Sequence, residues 1–414
     1  MFFVYNFFIQ VYTAFIFIAS IFSRKAKLWI NGRKEIFEKI AYAMNEKQLM
    51  DSGKIAWFHC ASLGEFEQGR PVIEEFRSRF PAYKIMLTFF SPSGYEVRKN
   101  YRGADWIFYL PADTIDNAER FISLVDPEMV FFVKYEYWYN YMRILHRKKI
   151  PFYVISAIFR PQQHFFTWYG SWFRDQLRNV TWFFLQDHES AQLLLGKGIN
   201  THSITGDTRF DRVYEISVHP QSFPLVERFC DNSQVIIAGS TWPADEEVLF
   251  PVIWKSGSTQ KFIIAPHEIH HERISSLLSR LKIPALKYSE ASNENINDFR
   301  ILIIDSLGIL SHLYQYPDIA YIGGGFGSGI HNILEAAAFG IPVIFGPNHE
   351  KFREAKDLIS LGGAFTISDT NKFIKITNYL LSSPEAYSAS AETCSKYVKD
   401  NQGATKKIME KIYG

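Results

Sequence analysis

The residues with the clearest potential for chemistry lie at 318–356, where an apolar strand runs into a glycine-rich turn. Five glycines occupy positions within 323–329, and the polar pair His331-Asn332 follows them. Asn332 is predicted to open a helix that carries Glu335 one turn in. Glycine lets a ligand approach the backbone closely, a helix start offers free N–H groups to an anion, and a carboxylate accepts hydrogen bonds from sugar hydroxyls. The pattern favours a site for a phosphorylated sugar or a nucleotide.

The glycine-rich run continues through small residues into a second apolar stretch, IPVIFGP, at 341–347. It fits neither the dinucleotide fingerprint G-x-G-x-x-G nor the P-loop G-x-x-x-x-G-K-[ST]. Its order of strand, glycines, helix with glutamate and second strand is typical of nucleotide-sugar glycosyltransferases with two Rossmann-like domains. Glycines between a strand and a helix also occur in α/β proteins for packing alone, and that alternative remains open.

A second candidate site lies in the segment WFHCASLGEFEQGRP, at 57–71. A strand is predicted to end at Cys60, and Glu65 stands beside Gly64 at the entrance of the next helix. A carboxylate at the carboxyl edge of a strand is well placed to remove a proton from an attacking hydroxyl as a general base. The structural alternative is that Glu65 only complements the positive end of the helix.

A cationic side chain, Arg209, lies in the loop segment GDTRFD at 206–211. It offers a positive charge to a cleft, although a lone arginine is more often a surface residue. The segment 164–178 is rich in aromatic residues and contains Arg174 and Arg178. It is interpreted either as a core helix or as a surface that meets acyl chains and acidic headgroups.

One motif indicates another class of enzyme. The run His267-Glu268-Ile269-His270-His271 fits H-E-x-x-H, the signature of zinc proteases. In those enzymes the motif lies inside a helix that holds both histidines on one face. Here it follows a predicted strand and a proline directly, so a membrane-anchored zinc protease is the less favoured alternative.

The elements that must position these residues are apolar runs of strand length alternating with helical patterns. Such a rhythm indicates parallel sheets covered on both faces, an α/β fold. The predicted strands are Ile55–Cys60, Lys84–Thr88, Trp106–Tyr109, Met129–Val133, Phe152–Ser156, Trp182–Leu185, His202–Thr205, Val235–Ala238, Phe262–Ala265, Ile301–Ile304, Ile319–Ile322, Ile341–Phe345 and Ala364–Ile367.

The rhythm stops and restarts around residues 216–233, which contain two prolines and are predicted to be a linker. The sequence is therefore divided into Rossmann-like domains at 25–215 and 234–414. Doubly wound domains bind ligands at the carboxyl ends of their strands, and two of them are expected to face a cleft.

Composition is consistent with two globular domains. The chain has 414 residues, 47% of them apolar, and a formal net charge of +2. That length suits two cores, and the small net charge disfavours a dedicated nucleic-acid binder. Three widely spaced cysteines form no C-x-x-C motif and no disulfide framework, which favours a reducing, cytoplasmic setting.

The amino terminus has a different character from the rest of the chain. Residues 2–22 carry no charge, and Arg24, Lys25 and Lys27 follow at once. Such a segment is just long enough to span a bilayer, and its basic flank places the downstream body on the cytoplasmic side. A membrane anchor is predicted at 1–24. A cleaved signal peptide is the runner-up, although the apolar region is long and no basic residues precede it. A helix lying in the interface is the third option, because Asn6 and Gln10 are unfavourable at bilayer depth.

The ordered set of motifs resembles one family along nearly the whole chain. These motifs are WFHCASLGE, FFSPSG, YLPAD, DPEMVFFVKYEYW, TGDTRFD, GST, APHEIHHER and GGGFGSGIHNILEAAAFGIPVIFGP. The chain resembles the bacterial 3-deoxy-D-manno-octulosonic acid (Kdo) transferases, which move Kdo from CMP-Kdo to the lipid A precursor (lipid IVA) at the inner membrane. The resemblance implies the GT-B architecture, an acceptor-binding amino-terminal domain, a CMP-sugar-binding carboxyl-terminal domain, no required metal and an inverting reaction.

The resemblance also implies roles for particular residues. The family's catalytic base falls on Glu65, and two residues credited with stabilising the transition state fall on Lys134 and Arg209. Contacts with CMP fall on Pro266, His267, Leu307, Gly308, Ile309, Asn332, Ile333, Leu334 and Glu335.

The chain departs from the family pattern at some of these positions. Lys134 replaces a glutamate, with Glu136 two residues further on, and Arg209 replaces a lysine. His267 replaces an arginine and Ile309 replaces a glutamate. Another nucleotide-sugar donor within the same fold is the main alternative.

Overall fold

Short apolar strands alternate with helices along the chain, because parallel neighbours in a sheet need long crossover connections. The computed structural model describes residues 1–50, 53–257 and 259–413. These residues form two compact units. The first comprises Met1–Arg212 together with Gly403–Gly414, and the second comprises Val213–Gln402.

The first unit contains a seven-stranded parallel sheet. Its strands are β1 Lys54–Cys60, β2 Tyr83–Phe89, β3 Trp106–Tyr109, β4 Met129–Val133, β5 Phe152–Ala157, β6 Trp182–Leu185 and β7 His202–Ile204, in the order β3-β2-β1-β4-β5-β6-β7. Its helices are α1 Phe2–Ala19, α2 Arg24–Gly32, α3 Ile36–Met50, α4 Leu63–Arg79, α5 Pro92–Arg98, α6 Ile115–Val125, α7 Tyr139–Arg147, α8 Ser171–Leu177, α9 His188–Leu195 and, from the end of the chain, α19 Ala404–Tyr413, with a 3-10 turn at His164–Phe166. Helix α10, Thr208–Val218, crosses from the first unit to the second.

The second unit contains another seven-stranded parallel sheet. Its strands are β8 Gln234–Thr241, β9 Gln260–Pro266, β10 Leu286–Lys287, β11 Ile301–Ile303, β12 Ile319–Ile322, β13 Val343–Phe345 and β14 Ala364–Thr366, in the order β10-β11-β9-β8-β12-β13-β14. Its helices are α11 Pro224–Cys230, α12 Pro243–Lys255, α13 His271–Leu281, α14 Leu310–Leu313, α15 Leu334–Ala337, α16 Arg353–Leu361, α17 Thr370–Ser382 and α18 Pro384–Asn401, with 3-10 turns at Tyr288–Glu290 and Ile296–Asp298.

Both sheets confirm the predicted α/β class, and each predicted strand is present within a few residues of its predicted bounds. The sheets are buried on both faces. In β1, Ile55 and Trp57 belong to one core cluster, while Ala56, Phe58 and Cys60 belong to the cluster on the other face. Two-sided burial explains why the strands read as continuous apolar runs instead of alternating ones.

Each sheet reverses its winding at one central strand. In the first unit β1 lies between β2 and β4, and in the second β8 lies between β9 and β12. At such a reversal the loops at the carboxyl ends of the two neighbouring strands diverge and leave a crevice in which α/β proteins bind ligands. The segments after β1 and β4, and those after β8 and β12, are therefore the places to look for sites.

The carboxyl terminus differs from the prediction, which assigns residues 234–414 to one domain. Helix α19 belongs to the first unit, where Ile408 and Met409 lie in the same core cluster as β1. Asp211 accepts hydrogen bonds from the Thr405 N–H and Thr405 Oγ1, each at 2.6 Å. An amphipathic pattern shows which face of a helix is buried but not which sheet it packs against, so the sequence does not reveal this return.

Helix α1 lies along the first unit with one face half-buried over its whole length. The half-buried positions on this face recur at helical spacing, at 2, 5, 6, 9, 13 and 16. Asn140 Nδ2 donates to Asn6 Oδ1 at 2.9 Å, the Tyr5 hydroxyl donates to Asp113, and the Tyr12 ring stacks on Phe90 at 6.3 Å. Of the two polar residues that are unfavourable in lipid, Asn6 thus has a partner on the protein, whereas Gln10 is exposed.

The opposite face of α1 is apolar and exposed. Phe3 is 86% exposed, and Phe7, Phe8, Phe15 and Ile18 are exposed as well. By length and composition α1 is the one helix in the described ranges that qualifies as a membrane span. One face of α1 thus contacts the body of the first unit, and the other exposes apolar side chains.

Substitution Tyr5→Phe tests how α1 is held. Loss of the bond to Asp113 is expected to cost about 1 kcal/mol and to speed hydrogen exchange in Phe2–Ala19 roughly fivefold. Tyr12→Phe is the matched control, because the Tyr12 hydroxyl makes no hydrogen bond with the described residues. Equal exchange in both variants, measured by mass spectrometry, would contradict the docking.

Candidate functional site

Glu65 lies in the first turn of α4, directly after β1. The Ser62 N–H donates to Glu65 Oε2 at 2.9 Å, and Ser62 Oγ lies 3.3 Å from the same oxygen. This is the carboxylate half of a capping box, which satisfies an N–H at the helix start. The structural role considered for Glu65 is therefore real. Its second oxygen, Oε1, accepts no hydrogen bond from the residues described, so the two roles are compatible.

The surroundings of Glu65 make it a stronger base. Burial and, next to it, the negative charge of Glu136 raise the pKa of Glu65, which reaches about 7 although His59 and Ser62 oppose the rise. A carboxyl group with a pKa near neutrality takes up a proton from a substrate far more readily than an ordinary one.

A buried chain of hydrogen bonds runs from β2 to the loop after β4. Trp57 Nε1 donates to Thr88 Oγ1 at 2.8 Å. The Thr88 hydroxyl lies 2.9 Å from His59 Nδ1 and 3.5 Å from the Phe58 carbonyl, so His59 is its nearer acceptor. Complete burial lowers the pKa of His59 to about 3, which keeps the ring neutral. Its Nε2 lies 3.3 Å from Glu136 Oε2 and 3.2 Å from the indole nitrogen of Trp138.

Glu136 ends this chain. Its Oε2 also accepts a hydrogen bond from Trp138 Nε1 at 2.6 Å, and its side chain is 12% exposed. Burial raises the pKa of Glu136 to about 7, while the bond from Trp138 opposes the rise. The resemblance points to Lys134 in this segment, whereas the hydrogen-bonded chain from β2 ends at Glu136.

Lys134 and Arg209 both lie after carboxyl ends of strands of the first sheet. Lys134 follows β4 with φ at 65°, in the left-handed region that costs energy for a side chain other than glycine. Arg209 pairs with Asp207 at 2.8 Å, and Asp207 accepts from Gln68 Nε2 at 3.0 Å. Burial opposes ionisation of Asp207, but Arg209 and Gln68 outweigh it and lower its pKa.

Tyr135 places these groups in one neighbourhood. Burial raises its pKa, Arg160 and Arg209 lower it, and Asp207 and Glu65 raise it. Tyr135 thus lies within electrostatic reach of both Glu65 and Arg209. The first unit brings together the predicted base and the predicted cation at the carboxyl edge of its sheet.

In the second unit three rings stack beside the reversal at β8. The rings of Trp242 and His267 lie 4.6 Å apart, those of His267 and His331 lie 4.4 Å apart, and Trp242 Nε1 donates to His331 Nε2 at 2.9 Å. Burial and, next to it, His267 lower the pKa of His331, which reaches about 4 although Asp245 opposes the fall. The His331 ring is therefore neutral at physiological pH.

Asp245 holds this region from the start of α12. Its Oδ2 accepts from the Trp242 N–H and from the Gly324 N–H, each at 2.9 Å, and its Oδ1 accepts from the Tyr321 hydroxyl at 2.7 Å. One buried carboxylate thus ties the loop after β8 to the glycine-rich loop after β12. Neither the motifs nor the resemblance singled out Asp245, although its place three residues after Trp242 is a capping-box signal.

Two of the glycines are needed for packing. A Cβ on Gly323 would lie 2.3 Å from the Ser240 carbonyl oxygen, and one on Gly325 would lie 2.6 Å from the Gly346 nitrogen. Backbones of neighbouring loops meet there without room for a side chain. The packing explanation left open for the glycine run accounts for these positions.

The Asn332–Glu335 segment is built differently from the prediction. Helix α15 begins at Leu334 and has four residues, so the helix predicted to open at Asn332 starts later and is a single turn. Asn332 Oδ1 accepts from the Leu334 N–H at 3.2 Å, and Asn332 Nδ2 donates to Glu335 Oε1 at 3.0 Å. Because the Asn332 side chain takes up an N–H of the turn, this helix start is a poor anion site by itself.

The remaining predicted positions lie after two other strands of the second sheet. Pro266 ends β9, and the His267 N–H donates to the Thr241 carbonyl at 3.0 Å. Leu307 and Gly308 are exposed in the loop after β11, and Ile309 immediately precedes α14. All the predicted CMP contacts thus lie beyond the carboxyl ends of β9, β11 and β12.

The H-E-x-x-H run does not have the zinc-protease geometry. His267 directly follows β9, outside any helix, and His271, the second histidine of the motif, is the first residue of α13, whose N-cap is His270. The two histidines therefore do not lie one turn apart on a helix. Within the described part of the chain, no group of three or more His, Cys, Asp or Glu side chains is arranged as metal ligands.

Comparisons with known proteins agree along most of the chain. Residues 34–212 match the family model described as 3-deoxy-D-manno-octulosonic-acid transferase (kdotransferase). A protein of that name from Chlamydophila psittaci is 25% identical, covering 93% of this chain and 90% of its own length. Those from Rickettsia conorii and Haemophilus influenzae are 26% and 24% identical, covering 85% and 86% of this chain and 77% and 85% of their own lengths.

Solved structures agree on the fold. The UDP-GlcNAc 2-epimerase from Neisseria meningitidis, bound to UDP-GlcNAc, superposes with a TM-score of 0.60 at 19% identity, covering 87% of this chain and 99% of its own. This likeness, together with the two parallel sheets, confirms the predicted pair of Rossmann-like domains of the GT-B type.

Substitution Asp245→Ala tests the anchor of the second unit. Three donors lose a buried acceptor, so the free energy of unfolding of this unit is expected to fall by roughly 3 kcal/mol. Urea denaturation followed by tryptophan fluorescence measures the loss. Asp298→Ala, at an exposed position, is the control; matching midpoints for the two variants would refute the anchoring role.

Proposed function

We propose a reaction on the premise that this chain belongs to the Kdo transferase family, glycosyltransferases of lipopolysaccharide biosynthesis. The donor is CMP-Kdo and the acceptor is the lipid A precursor, lipid IVA. The observation that carries this proposal is Glu65: a carboxylate with one free oxygen and a pKa of about 7, at the winding reversal of the first sheet.

The transfer proceeds as a single inverting displacement. Glu65 Oε1 takes the proton of the attacking acceptor hydroxyl, while Oε2 remains bonded to Ser62. The hydroxyl oxygen forms a bond to the anomeric carbon of Kdo as the bond from that carbon to the phosphate oxygen breaks. The electron pair leaves with CMP. Because the attack comes from the face opposite the leaving group, no covalent sugar–enzyme intermediate forms.

Donor binding is assigned to the second unit. The segment Asn332–Glu335, together with Pro266, His267 and the loop 307–309, is proposed to contact CMP. Support comes from their shared place at the carboxyl edge of the sheet. Asn332 and Glu335 already bond to each other at 3.0 Å, which orients both polar side chains. The contacts are then made by side chains more than by the helix start.

Charge stabilisation is assigned to Arg209. Its pairing with buried Asp207 fixes the guanidinium, and Tyr135 lies within reach of both it and Glu65. An arginine oriented in this way stabilises negative charge that develops on the phosphate as CMP leaves. Lys134 is proposed to contribute to the same field by position.

The chain is proposed to act at the cytoplasmic face of the inner membrane with α1 lying in the interface. If one face of α1 stays on the first unit from position 2 to position 16, too little of the helix is free to cross about 30 Å of hydrocarbon. Its exposed apolar face suits insertion to a shallow depth. Trp168, 92% exposed, is a second group suited to the interface. The two arginines of the same segment instead donate to backbone carbonyls of the protein, Arg174 to that of Phe165 and Arg178 to those of Lys197 and Gly198.

Substitution Glu65→Gln tests the base. Glutamine keeps an acceptor for the Ser62 N–H but cannot take a proton, so kcat is expected to fall about a thousandfold. Release of CMP and mass spectrometry of the product, with CMP-Kdo and a tetra-acylated acceptor, measure it. Glu67→Gln on the same helix is the control. Turnover of Glu65→Gln within tenfold of wild type would disprove the assignment, and transfer from a UDP-sugar instead of CMP-Kdo would disprove the donor.

Substitution Phe3→Cys tests the placement of α1. A helix lying in the cytoplasmic interface keeps position 3 on that side, so a membrane-impermeant thiol reagent should label it in inside-out vesicles but not in intact spheroplasts. The wild-type chain gives the background, since Cys60 and Cys394 are buried. Labelling from outside intact spheroplasts would show that α1 spans the membrane.

A further inference from the structure

Two glutamates of the first unit each use only one carboxylate oxygen inside the protein. Glu65 Oε2 bonds to Ser62, and Glu136 Oε2 bonds to Trp138 and His59. Neither Oε1 accepts a hydrogen bond within the described ranges of the chain. Strands β1 and β4 are hydrogen-bonded neighbours, so the loops that carry the two carboxylates leave the sheet side by side.

We propose that Glu136 is a positioning residue for the transfer reaction, acting as the second carboxylate of a Glu65–Glu136 pair whose negative charge makes Glu65 a stronger base. The inference rests on the proposed role of Glu65 and adds to it a residue that makes that role effective. Two neighbouring carboxylates resist simultaneous ionisation, so each binds a proton more tightly than it would alone.

The partners of Glu136 support this role because they orient the carboxylate without cancelling its charge. Trp138 donates through a neutral indole N–H at 2.6 Å, and the His59 ring, whose Nε2 lies 3.3 Å from Glu136 Oε2, is kept neutral by burial. An arginine or lysine in either place would neutralise Glu136 and shield Glu65 from it. The Thr88 hydroxyl contacts His59 Nδ1 at 2.9 Å on the other side of the ring and holds the ring in place beside Glu136.

Other ionisable groups around the pair do not replace Glu136. The Cys60 thiol is buried, and its pKa lies well above its ordinary value, so it stays neutral. Burial also raises the pKa of Tyr135. Arg33 acts on His59 as a nearby cation, but its guanidinium donates to the backbone carbonyls of Phe90 and Leu110. Glu67, on α4, pairs with Arg98 at 2.6 Å.

The pair leaves a signature in the pH dependence of the reaction. Turnover requires ionised Glu65, so kcat/KM rises with pH as the group titrates near 7. Removing the charge of Glu136 removes one of the two causes that raise this pKa. The acid limb of the profile then moves to lower pH, by about one pH unit for a like charge at close range.

The experiment compares pH profiles of kcat/KM for wild type, Glu136→Gln and the control Glu67→Gln, with CMP-Kdo and the tetra-acylated acceptor. Glutamine preserves an acceptor for Trp138 and His59. The expected result is an acid limb about one pH unit lower in Glu136→Gln, with the limb of Glu67→Gln unchanged. A uniform loss of activity with an unmoved limb would mean that Glu136 has only a structural role, and would overturn the inference.

A second measurement separates this inference from the proposed function. Infrared titration of the full chain, as differences between wild type and each glutamine variant, follows the carboxyl groups without turnover. The Glu65 carboxyl is expected to titrate at lower pH in Glu136→Gln than in wild type. Suppose that Glu65→Gln abolishes transfer, but the Glu65 carboxyl titrates at the same pH in wild type and in Glu136→Gln. The base assignment then stands, and the proposed effect of Glu136 is refuted. If Glu65→Gln remains active, the base assignment fails regardless of how the pair titrates.

Discussion

Each sheet reverses its winding next to a helix start, where a backbone N–H has no partner within the helix. The structure depends on how that N–H is hydrogen-bonded. In the first unit the Ser62 N–H donates to Glu65, and in the second the Trp242 N–H donates to Asp245, each at 2.9 Å. Both carboxylates occupy the third helical position after a central strand. The same backbone requirement thus brings a carboxylate to the edge of each sheet where ligands bind.

The two capping carboxylates differ in the other hydrogen bonds that they make. Asp245 also accepts hydrogen bonds from Tyr321 and Gly324, so it connects two loops. Glu65 keeps one oxygen available, and burial with Glu136 nearby raises its proton affinity. A carboxylate can act as a base when one of its oxygens accepts no hydrogen bond from the protein and the group is largely shielded from water. Sequence position alone is the same in both cases and does not distinguish them.

Much of the fold was predictable from the sequence, because strands that are buried on both faces consist of consecutive apolar residues. The two-residue strand β10 is too short to produce such a run. The packing of α19 against the first unit was not predictable, since Ile408 and Met409 show that the helix has an apolar face but not which sheet that face covers. At the site, Glu65 and Arg209 were found from motif and position. Glu136 and Asp245 gain their importance from contacts with residues distant in sequence, which no local pattern reveals.

The return of α19 also bears on how the chain is made. The core of the first unit receives Ile408 and Met409 from helix α19, which follows the whole second unit in the chain. During synthesis these residues emerge only after the whole second unit has been translated. The unit that begins first on the ribosome therefore completes its core last, with α1 already available to the membrane. The core of the unit that carries Glu65 therefore stays incomplete until α19 has been made, and its apolar surface must be protected while the second unit is being translated.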